Sequence, residues 1–166
     1  GNVIGGGDYS KDRLIPDLLA NVKKNKKIII RNPNSTRPWQ HVLEPLSGYL
    51  KLAENIYKKD KMTCSVEPNW NFGPNISNCK TVKYIANFIS KKENIKFKIV
   101  KTKSKIFNSE TNLLRLNNLK SKQYLHWFPK WNLDKTLIKI LEWNFLIKKK
   151  TTRQVCEQQI KEYFKI

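Results

Sequence analysis

Short apolar runs that alternate with amphipathic stretches constrain the fold of this chain more than any other feature. Asn2–Ile4, Ile28–Ile30 and Arg37–Val42 are short and rich in β-branched or alternating residues, so they predict strands. Between them, apolar residues recur at steps of three and four, which predicts helices. Strands that alternate with helices along a chain are typical of an α/β fold.

Six helices and three further strands are predicted from the same signals. Thr151 followed by Gln154 has the spacing of a capping box, and the helix that opens there is expected to turn Ile160, Tyr163 and Phe164 inward. The helices are predicted to begin at or near Asp12, Leu43, Thr81, Leu119, Leu133 and Thr151, and the further strands lie at 70–72, 97–100 and 114–116.

The helix predicted to follow Leu43 is expected to bury one stripe of apolar side chains. Pro45 falls in its first turn, where the missing N–H of proline costs nothing. The expected buried stripe is Leu43, Leu46, Leu50, Ala53 and Tyr57.

The net charge of +20 comes from 33 Lys and Arg against 13 Asp and Glu in 166 residues. Such a balance suits a partner with phosphates, because basic residues release the counterions of nucleic acids. All but five of the basic residues are Lys, however, and Lys lacks the forked geometry that reads base edges. The abundance of Lys, Asn and Ile, whose codons are rich in A and T, favours a bias of composition. We therefore expect a solvated basic surface, with no nucleic-acid partner.

Cys64, Cys79 and Cys156 have no C-x-x-C spacing, so neither a zinc site nor a disulfide framework is predicted. Free thiols in a reducing, cytoplasmic location are expected. No apolar run approaches the roughly 18 residues of a membrane span, and no membrane partner is expected. The chain opens on Gly1 rather than Met, which suggests further residues upstream.

Two stretches resemble a known enzyme family. The first stretch consists of residues 1–8 (GNVIGGGD) and 12–17 (DRLIPD). The second consists of residues 30–33 (IRNP) and 37–50 (RPWQHVLEPLSGYL). Together they resemble the CDP-glucose 4,6-dehydratases, a family of extended short-chain dehydrogenases/reductases that act on sugar nucleotides. Residues 70–74, 110–117, 127–131, 142–143 and 158–163 are also similar to the later parts of this family.

The resemblance implies the C-terminal part of an extended short-chain dehydrogenase/reductase: the last Rossmann strands plus a small, mixed α/β substrate-binding lobe. It covers residues 1–166, and the Rossmann portion that binds NAD and carries the catalytic Tyr-x-x-x-Lys pair is expected upstream, outside this chain. The spacing Tyr57 to Lys61 is read as chance, and no catalytic residue and no metal ligand is expected in the chain.

The implied activity is that of a carbon–oxygen lyase. The whole enzyme would convert CDP-glucose to CDP-4-dehydro-6-deoxyglucose by internal redox on NAD and loss of water, and it would be a homodimer. The chain by itself is expected to be inactive, because it lacks the glycine-rich turn that holds a dinucleotide.

The resemblance also implies a set of substrate-binding residues. Among them, Arg37 is favoured as a two-pronged phosphate donor, since Lys cannot replace a bidentate clamp, whereas Arg13 is taken as a surface residue. Trp39 is expected in the core, and Ser109 stands where the family has His before the acidic Glu110. The candidate substrate-binding residues are Asn2, Leu14, Ile15, Arg31, Arg37, Gln40 and His41.

Three alternatives stay open at this point. The first keeps the fold but changes the substrate, as a dehydratase or epimerase of another nucleotide-sugar. The second is a basic nucleic-acid-binding module. The third is a sugar-nucleotide-binding protein that stands alone and has no catalytic activity.

Overall fold

The structure, a computed structural model, describes residues 2–23, 28–30, 32–66, 68–94, 97–99 and 111–166. These residues form an α/β arrangement, as the alternation of strand and helix signals predicts. Its strands are β1 (Asn2–Ile4), β2 (Ile28–Ile30), β3 (Thr36–His41), β4 (Cys79–Thr81) and β5 (Phe97–Ile99). Its helices are α1 (Leu14–Lys23), α2 (Leu43–Tyr57), α3 (Lys61–Cys64), α4 (Val82–Glu93), α5 (Leu119–Leu125), α6 (Leu133–Leu146) and α7 (Thr152–Phe164).

The strands form two small sheets. In the first, the order is β1-β3-β4, with β1 parallel to β3 and β4 antiparallel to it. The register pairs Asn2 with Trp39 and Thr36 with Thr81. The second sheet pairs β2 with β5 in parallel. A parallel pair needs a long crossover connection, and α1 lies in the one that joins β1 to β3.

The main core lies where α1, α4 and α6 pack against the first sheet. Leu18 of α1, Ile85 of α4 and Ile140 of α6 have at most 1% of their surface exposed. Each belongs to an apolar row with helical spacing, which is why these helices can bury one face. The buried cluster also contains Ile4, Ile15, Ile30, Trp39, Ala86, Ile89, Leu133 and Leu137.

The helix ends follow the local sequence signals. Thr151 and Gln154 form the predicted capping box, and Thr81 caps α4 by accepting the N–H of Tyr84. His126 ends α5 in the left-handed region, with φ of 49°. No helix among the described ranges is long and apolar enough to cross a membrane.

The inward face of α7 differs from the prediction. Tyr163 is buried as expected, but Ile160 and Phe164 are more than a third exposed. Val155, Gln159 and Tyr163 form the buried row instead. These three residues are four positions apart, so they lie above one another on the helix, and the predicted row lies one residue to the side.

Two predicted strands are absent from the described residues. At 70–72, side chains take the place of a neighbouring strand: Gln40 donates to the carbonyl of Phe72 at 2.9 Å, and Ser121 donates to that of Asn71 at 2.5 Å. At 114–116 the backbone pairs only through a single bridge of Leu113 to Thr36. The apolar pattern indicates that both segments are extended, but it does not show which groups form hydrogen bonds with their backbone.

Helix α2 begins at the predicted residue but buries a different face. Leu43 is 8% exposed, whereas Leu50 is 64% exposed and Tyr57 89% exposed. The face that meets the rest of the chain contains Glu44, Pro45 and Gly48. A Cβ added at Gly48 would overlap the ring of Phe72, so this close approach requires glycine.

The carboxyl group of Glu44 joins three parts of the chain. Glu44 is fully buried and accepts the N–H of Lys130 at 3.0 Å, the N–H of Trp131 at 2.7 Å and the hydroxyl of Tyr163 at 2.7 Å. Tyr163 also shares a hydrogen bond with Ser47 at 3.0 Å. Burial, together with Glu44, raises the pKa of the Tyr163 hydroxyl. The segment after α5 and the helix α7 are therefore both held against the start of α2.

Glu44→Gln is expected to destabilise the chain by about 3 kcal/mol, because an amide cannot accept from all of these donors and a buried donor without an acceptor is costly. Urea unfolding followed by circular dichroism measures the effect. Glu54→Gln, on the exposed part of the same helix, is the matched control and should leave the free energy of unfolding nearly unchanged. Equal effects of the two substitutions would contradict the role given to Glu44.

Candidate functional site

A cleft of about 420 Å³ lies between β1, the first turn of α1 and Trp39 of β3. Asn2, Leu14 and Ile15, three of the candidate residues, line it together. In the sequence, Asn2 is twelve positions from Leu14, and the loop of residues 5–13 brings them to one place. The rest of the lining is Val3, Ile4, Asp8, Asp12, Arg13 and Pro16.

The cleft is lined by hydrogen-bond donors, by the carboxylates of two aspartates and by apolar side chains. Helix α1 begins at Leu14, so the first N–H groups of that helix have no acceptor within it, and Pro16 has no N–H to satisfy. The positive end of the helix dipole favours an anion at this place. Leu14, Ile15 and Trp39 supply an apolar wall.

Arg13 is a residue of the cleft that the sequence reasoning missed. Its side chain is 66% exposed and lies 3.9 Å from a carboxylate oxygen of Asp8. The backbone N–H of Ser10 is the main cause that lowers the pKa of Asp8, and Arg13 contributes. The place of Arg13 at the start of the helix predicted from Asp12 is the signal that could have identified it, because a residue there lies beside the helix N-terminus.

Arg37, the favoured arginine, is placed elsewhere. Its side chain is mostly buried, and its Nη1 donates to the carbonyls of Thr36 at 3.0 Å and of Thr111 at 2.7 Å. It does not line the cleft. In the described part of the chain, Arg37 therefore joins β3 to the segment that begins at residue 111.

Gln40 and His41 are buried inside the chain, at 2% and 1% exposure. The amide of Gln40 donates to the carbonyl of Phe72, and Nδ1 of His41 accepts the N–H of Leu43 at 3.2 Å. Neither side chain lines the cleft. Trp39 is in the core as expected, and its Nε1 donates to the carbonyl of Lys80 at 2.8 Å.

Three positions named in the sequence reasoning lie outside the described residues: Arg31, Ser109 and Glu110. Tyr57 and Lys61 lie at the end of α2 and the start of α3, with a break between the two helices. Tyr57 was expected on a buried stripe, and this is wrong, since its side chain is 89% exposed.

Residues 5–7 form the one glycine-rich turn of the chain, and its shape does not suit a dinucleotide. A Cβ at Gly6 would overlap the indole of Trp143, so the ring fills the space beside the turn. A turn that binds a pyrophosphate leaves that space open. The described residues of this turn thus do not fit NAD, and no group of three His, Cys, Asp or Glu among the described residues could hold a metal ion.

His41 is a neutral imidazole in a buried place. Burial lowers its pKa from 6.5 to about 4, and the positive charge of Lys139 contributes. The ring contacts Trp131 edge-on, with 4.9 Å between the centroids. Since Nδ1 accepts a hydrogen bond, the proton of the neutral ring resides on Nε2.

The low pKa of His41 predicts a loss of stability on acidification. Between pH 6.5 and about 4 the unfolded chain binds a proton at His41 that the folded chain does not, so the free energy of unfolding falls as pH falls, by about 3 kcal/mol in total. His41→Asn, which retains an acceptor for the N–H of Leu43, should remove this part of the pH dependence in urea titrations.

The matched control is His126→Asn, because Asn tolerates the left-handed conformation at the end of α5. It should keep the slope between pH 4 and 6.5. If His41→Asn kept the slope as well, the loss of stability would arise from other groups.

The comparisons with known proteins extend the resemblance found in the sequence. No family model matches the chain. The chain is 41% identical to the CDP-glucose 4,6-dehydratase of Salmonella typhimurium over 87% of its own length, and it spans 39% of that relative. The resemblance to this type of enzyme is thereby confirmed.

Solved structures give the same result for the fold. The dTDP-glucose 4,6-dehydratase of Bacillus anthracis, solved with NAD, matches 86% of this chain with a TM-score of 0.67 and 22% identity, and 41% of that protein is covered. The UDP-glucuronic acid 4-epimerase of Bacillus cereus, solved with UDP-glucuronic acid and NAD, matches 88% of this chain with a TM-score of 0.67 and 14% identity, over 43% of its length.

The matched region is the C-terminal part of these proteins, and the chain spans about two fifths of their length. The expected fold class is therefore confirmed. The chain has the fold of the C-terminal part of the extended short-chain dehydrogenases/reductases that include the sugar-nucleotide epimerases and dehydratases.

Proposed function

We propose that this chain is the substrate-binding portion of a CDP-glucose 4,6-dehydratase, a carbon–oxygen lyase. One observation carries the proposal: Asn2, Leu14 and Ile15, which the resemblance assigns to the nucleotide-sugar, line one cleft in a chain that is 41% identical to such an enzyme. The whole enzyme would convert CDP-glucose to CDP-4-dehydro-6-deoxyglucose with loss of water.

The two sides of the cleft suit the two parts of a nucleotide-sugar. The N-terminus of α1, the amide of Asn2 and the guanidinium of Arg13 offer donors and positive charge to a diphosphate. The side chains of Leu14, Ile15 and Trp39 offer an apolar wall to a flat base. Holding these parts in place positions the sugar, which is the role that this chain would have in catalysis.

NAD would be held by residues other than those described here. The Gly5–Gly7 turn is filled by Trp143, so no step of the reaction is assigned to a cofactor bound at this turn. A catalytic Tyr-x-x-x-Lys pair would also belong to another portion of the enzyme, because Tyr57 and Lys61 lie on separate helices.

Two further parts of the proposal concern the cellular location and the oligomeric state of the enzyme. Cys64, Cys79 and Cys156 are all free thiols, which favours a reducing cytoplasm. The homodimer expected for the complete enzyme stays a prediction.

Amide resonances of the labelled chain, followed by NMR during a titration with CDP-glucose, test the proposal directly. Shifts should be confined to Asn2, the start of α1 around Arg13–Ile15, and the indole of Trp39, and CDP-glucose should bind more tightly than UDP-glucose or dTDP-glucose. The chain should neither bind NAD nor turn over CDP-glucose. Equal binding of the three sugar nucleotides would favour another substrate, and tighter binding of a DNA duplex at moderate salt would favour the nucleic-acid alternative.

Substitutions of Arg13 and Arg37 distinguish an effect on substrate affinity from an effect on the stability of the fold. Arg13→Gln should weaken the binding of CDP-glucose about tenfold or more, roughly 1.4 kcal/mol, at unchanged stability. Arg37→Lys should lower the free energy of unfolding, because its guanidinium holds two carbonyls, and should leave the affinity of the folded chain nearly unchanged. NMR titration gives the affinities and urea unfolding the stabilities.

Arg153→Gln is the control for loss of one positive charge, since Arg153 is an exposed residue of α7 whose side chain pairs with Glu157. It should change neither quantity appreciably. If Arg37→Lys weakened binding and Arg13→Gln did not, Arg37 would be the phosphate donor after all, as the sequence reasoning favoured.

A further inference from the structure

The side chains that line the cleft carry a charge opposite in sign to that of the chain. The chain has 33 Lys and Arg against 13 Asp and Glu, yet the described lining contains one basic residue, Arg13, and two acidic ones, Asp8 and Asp12. No Lys lies among these lining residues. A composition that is rich in Lys therefore does not account for the cleft, and its two carboxylates need a separate explanation.

The carboxyl group of Asp8 is oriented by its neighbours in the loop before α1. One oxygen accepts the backbone N–H of Ser10 at 3.0 Å, and the other lies 3.9 Å from Nη1 of Arg13. The side chain is 28% exposed and lines the cleft. A carboxylate has about four acceptor positions, so these contacts leave capacity for donors of a ligand.

Asp12 lies directly before Arg13 and has a left-handed backbone, with φ of 61°. Asp and Asn are among the few residues other than glycine that adopt this region readily. Asp12 is exposed and also lines the cleft. The loop between β1 and α1 thus brings two carboxylates to the place where Asn2 and Leu14 meet.

The proposed function leaves these carboxylates to the sugar. In that function the base lies against the apolar wall, and the diphosphate lies at the start of α1 beside Asn2 and Arg13. The charged side chains of the described lining that remain are those of Asp8 and Asp12. The group attached to the second phosphate therefore meets a negatively charged part of the cleft.

A carboxylate distinguishes neutral sugars from charged ones. The hydroxyl groups of a neutral hexose donate to it in charge-assisted hydrogen bonds. A uronic acid or a terminal phosphate brings a further negative charge, which the carboxylate repels. Proteins of this fold encounter both kinds of sugar, since the epimerase of Bacillus cereus was solved with UDP-glucuronic acid.

We propose that Asp8 and Asp12 determine the specificity of the cleft for nucleotide-sugars with an uncharged sugar. Their carboxylates accept hydrogen bonds from the hydroxyl groups of the hexose and repel a uronic acid or a terminal phosphate in the same position. This inference rests on the proposed function, because it takes the diphosphate to lie at the start of α1.

NMR titrations of the chain with CDP-glucose and CDP-glucuronic acid test the inference, because the two ligands differ only in a hydroxymethyl and a carboxylate group. The chain should bind CDP-glucose about tenfold more tightly, since two carboxylates a few ångströms away act on the extra charge. In the double variant Asp8→Asn/Asp12→Asn the ratio of affinities should fall to about twofold or less. Asn keeps an acceptor for Ser10 and tolerates the left-handed backbone, so the loop should be retained.

Salt dependence gives a second measurement, which a purely structural role of the loop would not alter. In about 1 M salt, where charges are screened beyond about 3 Å, the ratio of affinities should fall for the parent chain and change little for the double variant. Glu157→Gln is the control for loss of a negative charge outside the cleft. Glu157 pairs with Arg153 on α7, and its substitution should leave the tenfold ratio unchanged.

Two results would overturn the inference: equal affinity of the parent chain for the two ligands, and a ratio that is the same in the double variant. The corresponding pair UDP-glucose and UDP-glucuronic acid separates this inference from the proposed function. Equal binding of CDP-glucose and UDP-glucose, with weak binding of both uronic acids, would contradict the proposed substrate and support the inference. Preference for CDP-glucose over UDP-glucose, with equally tight binding of CDP-glucuronic acid, would support the proposed substrate and contradict the inference.

Discussion

The buried carboxyl group of Glu44 is the contact on which the C-terminal half of the structure depends. It accepts hydrogen bonds from the backbone of Lys130 and Trp131 and from the hydroxyl of Tyr163. One side chain at the start of α2 thus holds both the segment that leads into α6 and the last helix. A polar group in this position specifies one arrangement, because any other packing leaves the carboxyl group or its donors without a partner.

The same end of α2 follows directly on a strand that contributes to the candidate cleft. Strand β3 leads directly into α2, and it also carries Trp39, whose ring forms part of the cleft wall. In the function we propose, the cleft positions a nucleotide-sugar.

Local sequence signals predicted most helices and strands, whereas contacts between residues distant in the sequence decided which side chains line the candidate cleft. The capping box at Thr151, the helix from Leu119 to Leu125 and the β-branched run of Ile28–Ile30 depend on neighbouring residues, so their positions were predictable. Arg37 was not: nothing near it in the sequence shows that the carbonyl of Thr111 lies 2.7 Å from its guanidinium. Arg13 was missed for a similar reason: its position at a helix start is visible in the sequence, but the cleft beside it is formed by a strand and a helix start that meet only in the fold.

The sequence alone determined the α/β class, the approximate starts of the longer helices and the resemblance to a family of sugar-nucleotide enzymes, since these follow from periodicity, caps and motifs. Only the tertiary structure decided which row of each helix is buried. An amphipathic period shows that a helix has an apolar face, but the partner selects the face that is covered. In α2 the ring of Phe72 packs over Gly48 and the interior takes up Glu44, so the apolar row that begins at Leu46 remains at the surface.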